Sequence, residues 1–333
     1  MRFPEKISRD DYEAIARRSL RLFLSADIVD STALKQEFRE RGSSWVEIAH
    51  TFYTRFPNLL DAALAEMNYW ERRKAESELE LWKAIGDELV FVADIRNIED
   101  VPLLVAGFRN ATNGWNKQNE EYESRGVTVK AAAWLAGFPV MNSVIPGDSV
   151  TSLDFLGTSM DIGFRLCGFA TPRRFVLSID LAYVLAVLGD SLTNWCRFLD
   201  KLPLKGVLKN RPYPVFWLDC FSEDIDASNK PKSAKLAQLE DRVTGNGSTK
   251  FLAAEMESFS KCWIESTGGD LILPFCPHGD DSRFPIPESY SKDRENALSE
   301  LEREFLEQGD IGLDEGQDDD VEEFRGDIDR NLF

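Results

Sequence analysis

Two aspartates that each follow an apolar segment are the residues of this sequence best suited to chemistry. Asp27 ends the apolar run RLFLSAD, and Asp87 lies in the Gly-Asp turn of KAIGDELVF. If the first segment is a strand beside the second, the two carboxylates come close and repel each other, and a divalent cation relieves that repulsion. Hard oxygen ligands of this kind favour Mg²⁺ or Mn²⁺. The spacing alone does not decide between such a site and two structural aspartates.

Two other aspartates fit simpler roles. Asp30 comes just before a helix-like segment, with Ser31 and Thr32 beside it, and is predicted to be the N-cap of that helix. Asp94 belongs to a second ADI triplet and precedes a loop-like segment, so it is predicted to be a cap or a surface acid.

The elements that have to position Asp27 and Asp87 alternate between strand and helix. Apolar runs predict a strand at 21–27, a tight hairpin at 78–94 and a strand at 127–137, with helix-like segments between them. The full order, β-α-β-β-α-β-α-β-α-β-β, favours an α/β (α+β) fold of the ferredoxin-like type with helices on one face. Further along, TKFLAAEMESFSKCWIEST predicts a helix, DLILPF a short strand and ENALSELEREFLEQ a charged helix.

Composition divides the chain into four predicted parts. A polar lead-in covers 1–18, and the main domain covers 19–220. An accessory segment at 221–300 begins with the linker-like SEDIDASNKPKSAK, and the acidic tail at 301–333 is predicted to be partly disordered.

The overall composition argues against several classes of function. A net charge of −19 makes a nucleic-acid polymer an unlikely partner, because such a partner requires a basic face. No apolar stretch approaches the roughly 20 residues that a membrane helix needs, so no membrane association is expected. The 5 cysteines are scattered and form no CxxC motif, which fits a reduced protein. A cytoplasmic location is therefore expected.

Four segments, in order and spacing, resemble the signature segments of class III nucleotidyl cyclases. They are FLSADIVDST, LWKAIGDELVF, LDFLGTSMDIGFRL and LKGV. The resemblance implies a ferredoxin-like palm with a smaller C-terminal extension, working as a head-to-tail homodimer with active sites at the interface. It also implies a phosphorus–oxygen lyase that converts a nucleoside triphosphate to a 3′,5′-cyclic nucleotide and pyrophosphate.

The resemblance assigns roles to individual residues. Asp27 and Asp87 match the two metal-binding aspartates, and Ile28 would add its backbone carbonyl, so that each active site holds two divalent ions, Mn²⁺ or Mg²⁺. Lys83 and Asp154 match the positions that contact the base from the partner chain.

The same resemblance covers the phosphate and ribose contacts. Arg165 matches the arginine that stabilises the transition state, and Lys205 matches the lysine that binds the triphosphate. Asp161 replaces the asparagine that usually positions the ribose. Because Asp161 and Arg165 are four residues apart on a predicted helix, they share a face, and the carboxylate could accept a ribose hydroxyl or hold Arg165.

The identity of the base is left open by these residues. Lys83 and Asp154 would suggest adenine in the wider family, whereas the helix WVEIAHTFYTRFPNLL and the Asp161 exchange resemble the bacterial pyrimidine cyclases of the Pycsar anti-phage defence system. Cyclic UMP from UTP is the favoured product, with cyclic CMP and cyclic AMP as alternatives, and the product would act on a separate effector. Tyr53 is the candidate for filling the space that the second ring of a purine would occupy. A catalytically degenerate cyclase fold acting as a sensor is the alternative from a different class.

Overall fold

The computed structural model describes residues 9–40, 44–121, 127–146, 153–220, 239, 243, 252–279 and 281–310. The start of the predicted lead-in, the linker-like segment at 222–235 and the acidic tail from 311 onwards lie outside these ranges. No described helix contains a stretch long and apolar enough to cross a membrane.

Helices and strands alternate along most of the described chain. The helices are α1 (Arg9–Ala16), α2 (Ser31–Glu40), α3 (Trp45–Trp70), α4 (Asp100–Glu121), α5 (Thr158–Leu166), α6 (Ile179–Leu188), α7 (Ala253–Glu265) and α8 (Tyr290–Asp310). The strands are β1 (Ser19–Ile28), β2 (Leu79–Ile85), β3 (Glu88–Asp94), β4 (Val129–Phe138), β5 (Asn142–Pro146), β6 (Leu153–Gly157), β7 (Arg174–Leu177), β8 (Cys196–Pro203) and β9 (Pro212–Asp219).

The main sheet has 7 strands in the order β2-β3-β1-β4-β7-β9-β8. Only the β4–β7 pair is parallel among the pairs described, and the others are antiparallel. Strands β1 to β4, connected through α2 and α3 and through α4, have the 2-3-1-4 order of a split β-α-β unit. The predicted ferredoxin-like α+β palm is therefore confirmed, and β7, β9 and β8 extend it beyond β4.

Nearly every residue of β1 is buried. Since side chains of alternate residues point to opposite sides of the sheet, the strand is buried on both faces. Leu22 and Leu24 belong to the core that α3 and α4 complete. Phe23 belongs to a second cluster, which contains residues of β5, β6 and α5. The expectation of helices on one face only is thus wrong, since α5 and the β5–β6 pair cover the other face.

Two segments differ from the sequence prediction. The paired strands β5 and β6 form a separate two-stranded sheet that the sequence did not indicate. DLILPF, predicted to be a strand, is not one. Its apolar residues Leu271, Leu273 and Phe275 pack directly on the domain, which explains the strand-like pattern without strand pairing.

The C-terminal segment packs on the main domain. Trp263 and Ile264 of α7 belong to the same core as the palm, and Phe284 is fully buried in it. The Tyr290 hydroxyl donates to the Phe138 carbonyl at the end of β4 (3.0 Å). The Arg294 guanidinium donates to the carbonyl of Ala16 at the end of α1 (3.4 Å). The segment is therefore attached to the main domain through α7 and through the start of α8.

Candidate active site

Asp27 occupies the end of β1, on the face of the sheet opposite α3 and α4. The strand register places Asp27 between Glu88 of β3 and Lys130 of β4. Residues directly opposite each other in neighbouring strands point to the same face. Three charged side chains therefore form a row across β3, β1 and β4, where the apolar cluster around Phe23 ends.

Asp87 lies in the two-residue turn between β2 and β3. Gly86 has a φ of +66°, a left-handed conformation that glycine adopts without a steric cost. The Asp87 carbonyl accepts a hydrogen bond from the Ile28 N–H (3.2 Å), which fixes the turn to the end of β1. Asp27 directly precedes Ile28, so the two aspartates lie at one junction, and the charge of Asp87 acts to raise the pKa of Asp27. The structure thus brings the two predicted metal ligands together, and Ile28 lies at their junction.

Two lysines neutralise this carboxylate pair. Lys130 Nζ lies 3.1 Å from Asp27 Oδ2, and Lys35 Nζ of α2 lies 3.3 Å from Asp87 Oδ1. The sequence analysis identified neither residue. Lys130 becomes recognisable only through the β1–β4 register, and Lys35 only through the way in which α2 packs beside the hairpin.

The two aspartates have opposite pKa shifts. Burial raises the pKa of Asp27, and the hydrogen bond and charge of Lys130 only partly offset that effect. Burial also acts to raise the pKa of Asp87, but hydrogen bonds from Ser31 and Lys35 outweigh it and hold the pKa below its ordinary value. Asp87 is therefore the more readily ionised member of the pair.

The start of α2 contributes to the site in an unexpected way. Asp30, predicted to be the N-cap, directly precedes α2 with a φ of +52°, and its carbonyl accepts the Leu34 N–H (3.0 Å). The Ser31 hydroxyl, expected to help the cap, acts to lower the pKa of the Asp87 carboxyl. The look-alike residue Asp94 pairs with Arg17 at the other end of β3, away from the turn.

A small polar cluster lies next to the row of charges. Ser25 Oγ donates to Glu88 Oε1 (2.5 Å), and the Cys167 thiol lies 3.6 Å from the same oxygen. Burial raises the pKa of Glu88, against the lowering effect of the Ser25 hydrogen bond. Because Cys167 directly follows α5, this cluster connects the hairpin to the end of that helix.

Tyr53 lies on α3 and reaches the same turn. Its hydroxyl donates to the Gly86 carbonyl, one residue before Asp87. The ring packs against the core on the helical face of the sheet. Within one chain, Tyr53 therefore supports the turn that carries Asp87, and its predicted role beside the base stays a prediction.

Lys83 and Asp154 form an ion pair between β2 and β6. Lys83 Nζ lies 2.6 Å from Asp154 Oδ2. A β-bulge between Leu81 and Lys83 interrupts the pairing of β2 with β3. Trp82 donates its indole N–H to the Leu153 carbonyl (2.8 Å), and Lys83 Nζ lies 4.7 Å from the centre of the Trp82 ring. The two predicted base contacts are thus adjacent, on the face of the sheet covered by β5 and β6.

Arg165, Asp161 and Lys205 form a third group. Arg165 Nε donates to the Lys205 carbonyl (2.5 Å), and its NH1 donates to the Asp161 carbonyl (3.0 Å). The Asp161 carboxylate lies 3.4 Å from the same NH1, so the expected pairing of Asp161 with Arg165 is present. The Lys205 side chain is exposed. A hydrogen bond therefore connects Arg165 to the backbone of Lys205, the two cations predicted to act on the phosphates.

The carboxylate pair suits a hard divalent ion. Among the described residues, no group of three or more His, Cys, Asp or Glu side chains is arranged to hold a metal. Mg²⁺, however, is commonly bound through one or two carboxylates, with water and substrate phosphates completing its coordination. Asp27 and Asp87, placed at one junction and partly buried, fit that mode of binding.

Comparisons with known proteins give matches to solved structures only. No family model matches the chain, and no curated protein matches it. The chain is similar to the adenylyl cyclase CyaB from P. aeruginosa, with 12% identity, a TM-score of 0.43, and coverage of 63% of this chain and 98% of that one. It is also similar to the guanylyl cyclase Cya2, with 16% identity, a TM-score of 0.41, and coverage of 63% and 96%. The guanylate cyclase domain of RhGC from Catenaria anguillulae, solved with GTP, is similar as well, with 13% identity and a TM-score of 0.42. The match covers 60% of this chain and 96% of that one.

Proposed function

We propose that the protein is a nucleotidyl cyclase that converts a nucleoside triphosphate, preferentially UTP, to its 3′,5′-cyclic monophosphate and pyrophosphate. The observation that carries the proposal is the meeting of Asp27 and Asp87 at the junction of β1 and the β2–β3 turn, where the Ile28 N–H donates to the Asp87 carbonyl (3.2 Å). Two carboxylates placed together in a partly buried environment would suit the binding of divalent metal ions.

Asp27 and Asp87 would hold Mg²⁺ or Mn²⁺, with the Ile28 carbonyl as a further ligand. Such ions, when bound, lower the pKa of the attacking ribose hydroxyl and neutralise phosphate charge. Lys35 and Lys130 neutralise the same carboxylates in the described structure. Since a metal ion and an ammonium group compete for the same oxygens, these lysines would be released towards the incoming phosphates when metal and substrate bind.

Arg165 and Lys205 would act on the phosphates. The 3′-oxygen attacks the α-phosphate in line, and negative charge increases on the phosphoryl oxygens and on the leaving pyrophosphate. The Arg165 guanidinium, held by the Lys205 carbonyl and by Asp161, would stabilise the α-phosphate in the transition state. The exposed Lys205 ammonium would bind the pyrophosphate portion, and Asp161 would in addition accept a ribose hydroxyl.

A homodimer would assemble these groups into complete sites. Asp27 and Asp87 form one group of contacts, and Arg165 and Lys205 form another. A head-to-tail pair of chains would bring the first group of one chain to the second group of its partner. Exposed apolar side chains support such pairing, namely Ile85 at the end of β2, next to the turn that carries Asp87, and Leu156 on β6.

The Lys83–Asp154 pair is suited to reading a base edge but does not select one. Lys83 can donate to a base acceptor while Asp154 accepts from a base N–H. Uracil offers that combination through O4 and N3–H, cytosine through N3 and the exocyclic amine, and adenine through N1 and the exocyclic amine. The preference for a pyrimidine rests on the sequence resemblance, and no residue decides between uracil and cytosine. The proposal that a cyclic pyrimidine nucleotide made in the cytoplasm signals to a separate effector in phage defence rests on the same resemblance.

Identification of the product tests the proposal directly. The purified full-length protein is incubated with each of UTP, CTP, ATP and GTP in the presence of Mn²⁺, and the products are identified by mass spectrometry. We expect cyclic UMP. Cyclic CMP or cyclic AMP would change the base assignment, while the absence of any cyclic product, combined with measurable nucleotide binding, would favour a sensor.

The Asp87→Asn substitution tests the metal site. We expect it to lower kcat/KM by at least roughly a hundredfold, the scale of losing a group that stabilises the transition state, because a neutral amide is a poor ligand for Mg²⁺ or Mn²⁺. Asp94→Asn is the control, since it makes the same chemical change at the other end of β3, where Asp94 pairs with Arg17. Comparable activity of Asp87→Asn and the wild-type protein would rule out the metal assignment.

A further inference from the structure

We propose that Arg211 is a positioning residue for Lys205, because it ties the loop that carries Lys205 to the C-terminal segment. The inference rests on the proposed function, since it concerns the same triphosphate site. It assigns a role to α7 and the turn after it, which the sequence resemblance does not cover.

The loop between β8 and β9 has an unusual backbone. Leu208, Lys209 and Asn210 have φ values of 47°, 53° and 62°, so three consecutive residues other than glycine adopt the left-handed conformation. L-residues rarely do so, and such a run persists when surrounding contacts enforce it. Lys205 lies earlier in the same loop, exposed between the buried side chains of Leu204 and Val207.

Arg211 supplies the strongest of those surrounding contacts. Its guanidinium donates from NH1 to the Ser266 carbonyl (2.7 Å) and from NH2 to Ser266 Oγ (2.6 Å). The same guanidinium lies 5.0 Å from the centre of the Trp263 ring, which is itself buried edge-on against Tyr213. A planar group held by two hydrogen bonds and a stacked ring has little freedom.

The second contact between this loop and the segment is weaker. Lys209 Nζ lies 3.4 Å from both carboxylate oxygens of Asp270, and the Lys209 side chain is 86% exposed. An exposed pair of this kind contributes little, because water screens it. Arg211 therefore makes the stronger of these two polar contacts between the segment and the loop.

The loop in turn determines where both phosphate-binding cations lie. The Lys205 carbonyl accepts the hydrogen bond from Arg165 Nε, so a shift of the loop moves Lys205 directly and changes the support of Arg165. A continuous series of contacts thus runs from Ser266 and Trp263 through Arg211 to Lys205 and Arg165.

Binding of inorganic tripolyphosphate in the presence of Mg²⁺ measures this coupling without requiring catalysis. The Kd is measured by calorimetry for the wild-type protein, Arg211→Ala, Lys205→Ala and the double variant. Each single substitution is expected to weaken binding by roughly tenfold, as for the loss of one well-placed charged contact. The double variant is expected to lose less than the sum of the two single losses, since Arg211 acts on binding through the position of Lys205 and the support of Arg165.

Two further variants separate positioning from folding. Arg211→Lys keeps the charge but cannot make both contacts to Ser266, so its Kd is expected to lie between those of the wild-type protein and Arg211→Ala. Arg283→Ala removes a different arginine of the same segment, which pairs with Glu99 (2.5 Å), and is expected to keep the wild-type Kd within about twofold. Far-UV circular dichroism and thermal unfolding verify that each variant is folded.

Three results would overturn the inference. They are an unchanged Kd in folded Arg211→Ala, additive losses in the double variant, and no binding of tripolyphosphate to the wild-type protein. Product analysis of the wild-type protein is scored separately. Non-additive losses of affinity without any cyclic product would contradict the proposed function and leave the positioning role of Arg211 intact. Formation of a cyclic product with additive losses of affinity would support the proposed function and contradict the positioning role.

Discussion

Asp27 and Asp87 lie at one junction of β1 and the β2–β3 turn, yet their surroundings move their pKa values in opposite directions. Asp27 is more deeply placed on the sheet, and burial raises its pKa despite the nearby Lys130. Asp87 receives hydrogen bonds from Ser31 and Lys35, which lower its pKa despite partial burial. The proposed metal binding would require both carboxylates in the ionised form, so protonation of Asp27 would limit it as the pH falls.

This difference predicts the pH dependence of metal binding and its response to Lys130→Met. Below the raised pKa of Asp27 a proton competes with the ion, so the affinity for Mn²⁺ falls as the pH is lowered. Removing Lys130 removes a group that lowers the Asp27 pKa, so the decline in affinity is expected to begin at a higher pH. Above that range the variant is expected to bind Mn²⁺ more tightly than the wild-type protein, because no ammonium competes.

The measurement is a series of Mn²⁺ titrations followed by electron paramagnetic resonance between mildly acidic and neutral pH. Lys261→Met, which changes an exposed lysine of α7, serves as the charge-matched control. A decline in affinity at the same pH in the wild-type protein and in Lys130→Met would show that Lys130 does not influence the Asp27 carboxylate.

At the scale of elements, the position of α5 depends on one glycine. A Cβ atom on Gly163 would lie 2.1 Å from Cδ2 of Trp134, which is fully buried in β4 and stacks on Phe23 with ring centres 5.5 Å apart. The helix therefore lies as close to the sheet as its backbone permits. Arg165 and Asp161 are carried by the same helix, so their position depends on this contact.

Gly163→Ala is expected to destabilise the protein and to impair the site together. Overpacking of this kind typically costs about 1–3 kcal/mol, and the higher helix propensity of alanine offsets only part of it. Urea unfolding and the tripolyphosphate Kd measure the two effects. Gly114→Ala in α4 is the matched control, because its new Cβ would lie 3.7 Å from Leu59, an ordinary contact. Equal stability of the two alanine variants would contradict the close packing of α5.

The elements also show which features a sequence can and cannot predict. β1, the β2–β3 hairpin and the turn at Asp87 follow from apolar runs and a Gly-Asp pair, which are local signals. The β5–β6 pair was missed because it depends on a partner segment rather than on a pattern of its own. Lys130 and Glu88 were missed for a related reason. They become neighbours of Asp27 through strand register, which the residues around them do not specify.

At the scale of the whole molecule, the C-terminal segment and the palm share one core. Trp263, Ile264 and Phe284 belong to the same apolar cluster as the sheet residues, and Phe259 packs edge-on against Phe198 and Phe216. The sequence analysis predicted a separate accessory segment from 221 onwards, a boundary drawn from the polar composition of SEDIDASNKPKSAK. The described contacts favour joint folding of the two parts.

Joint folding predicts a single unfolding transition. Urea unfolding followed by tryptophan fluorescence and by far-UV circular dichroism is expected to give coincident curves. Phe284→Ala is expected to move both curves to lower urea and to reduce the free energy of unfolding by about 3–5 kcal/mol, the typical cost of removing a buried phenylalanine side chain. Leu252→Ala, at a position 67% exposed in the same segment, is expected to leave them unchanged. Two separate transitions would show instead that the accessory segment unfolds independently.

The bulge at Leu81 and Lys83 has a consequence for solubility as well. Strand β2 is one of the two edge strands of the main sheet, and it exposes the apolar side chains of Leu81 and Ile85. An edge strand of this composition could pair with a strand of another chain. A bulge interrupts the regular spacing of backbone donors and acceptors and increases the local twist, which hinders strand addition. The irregularity that places Lys83 beside Asp154 therefore also protects an exposed sheet edge against aggregation.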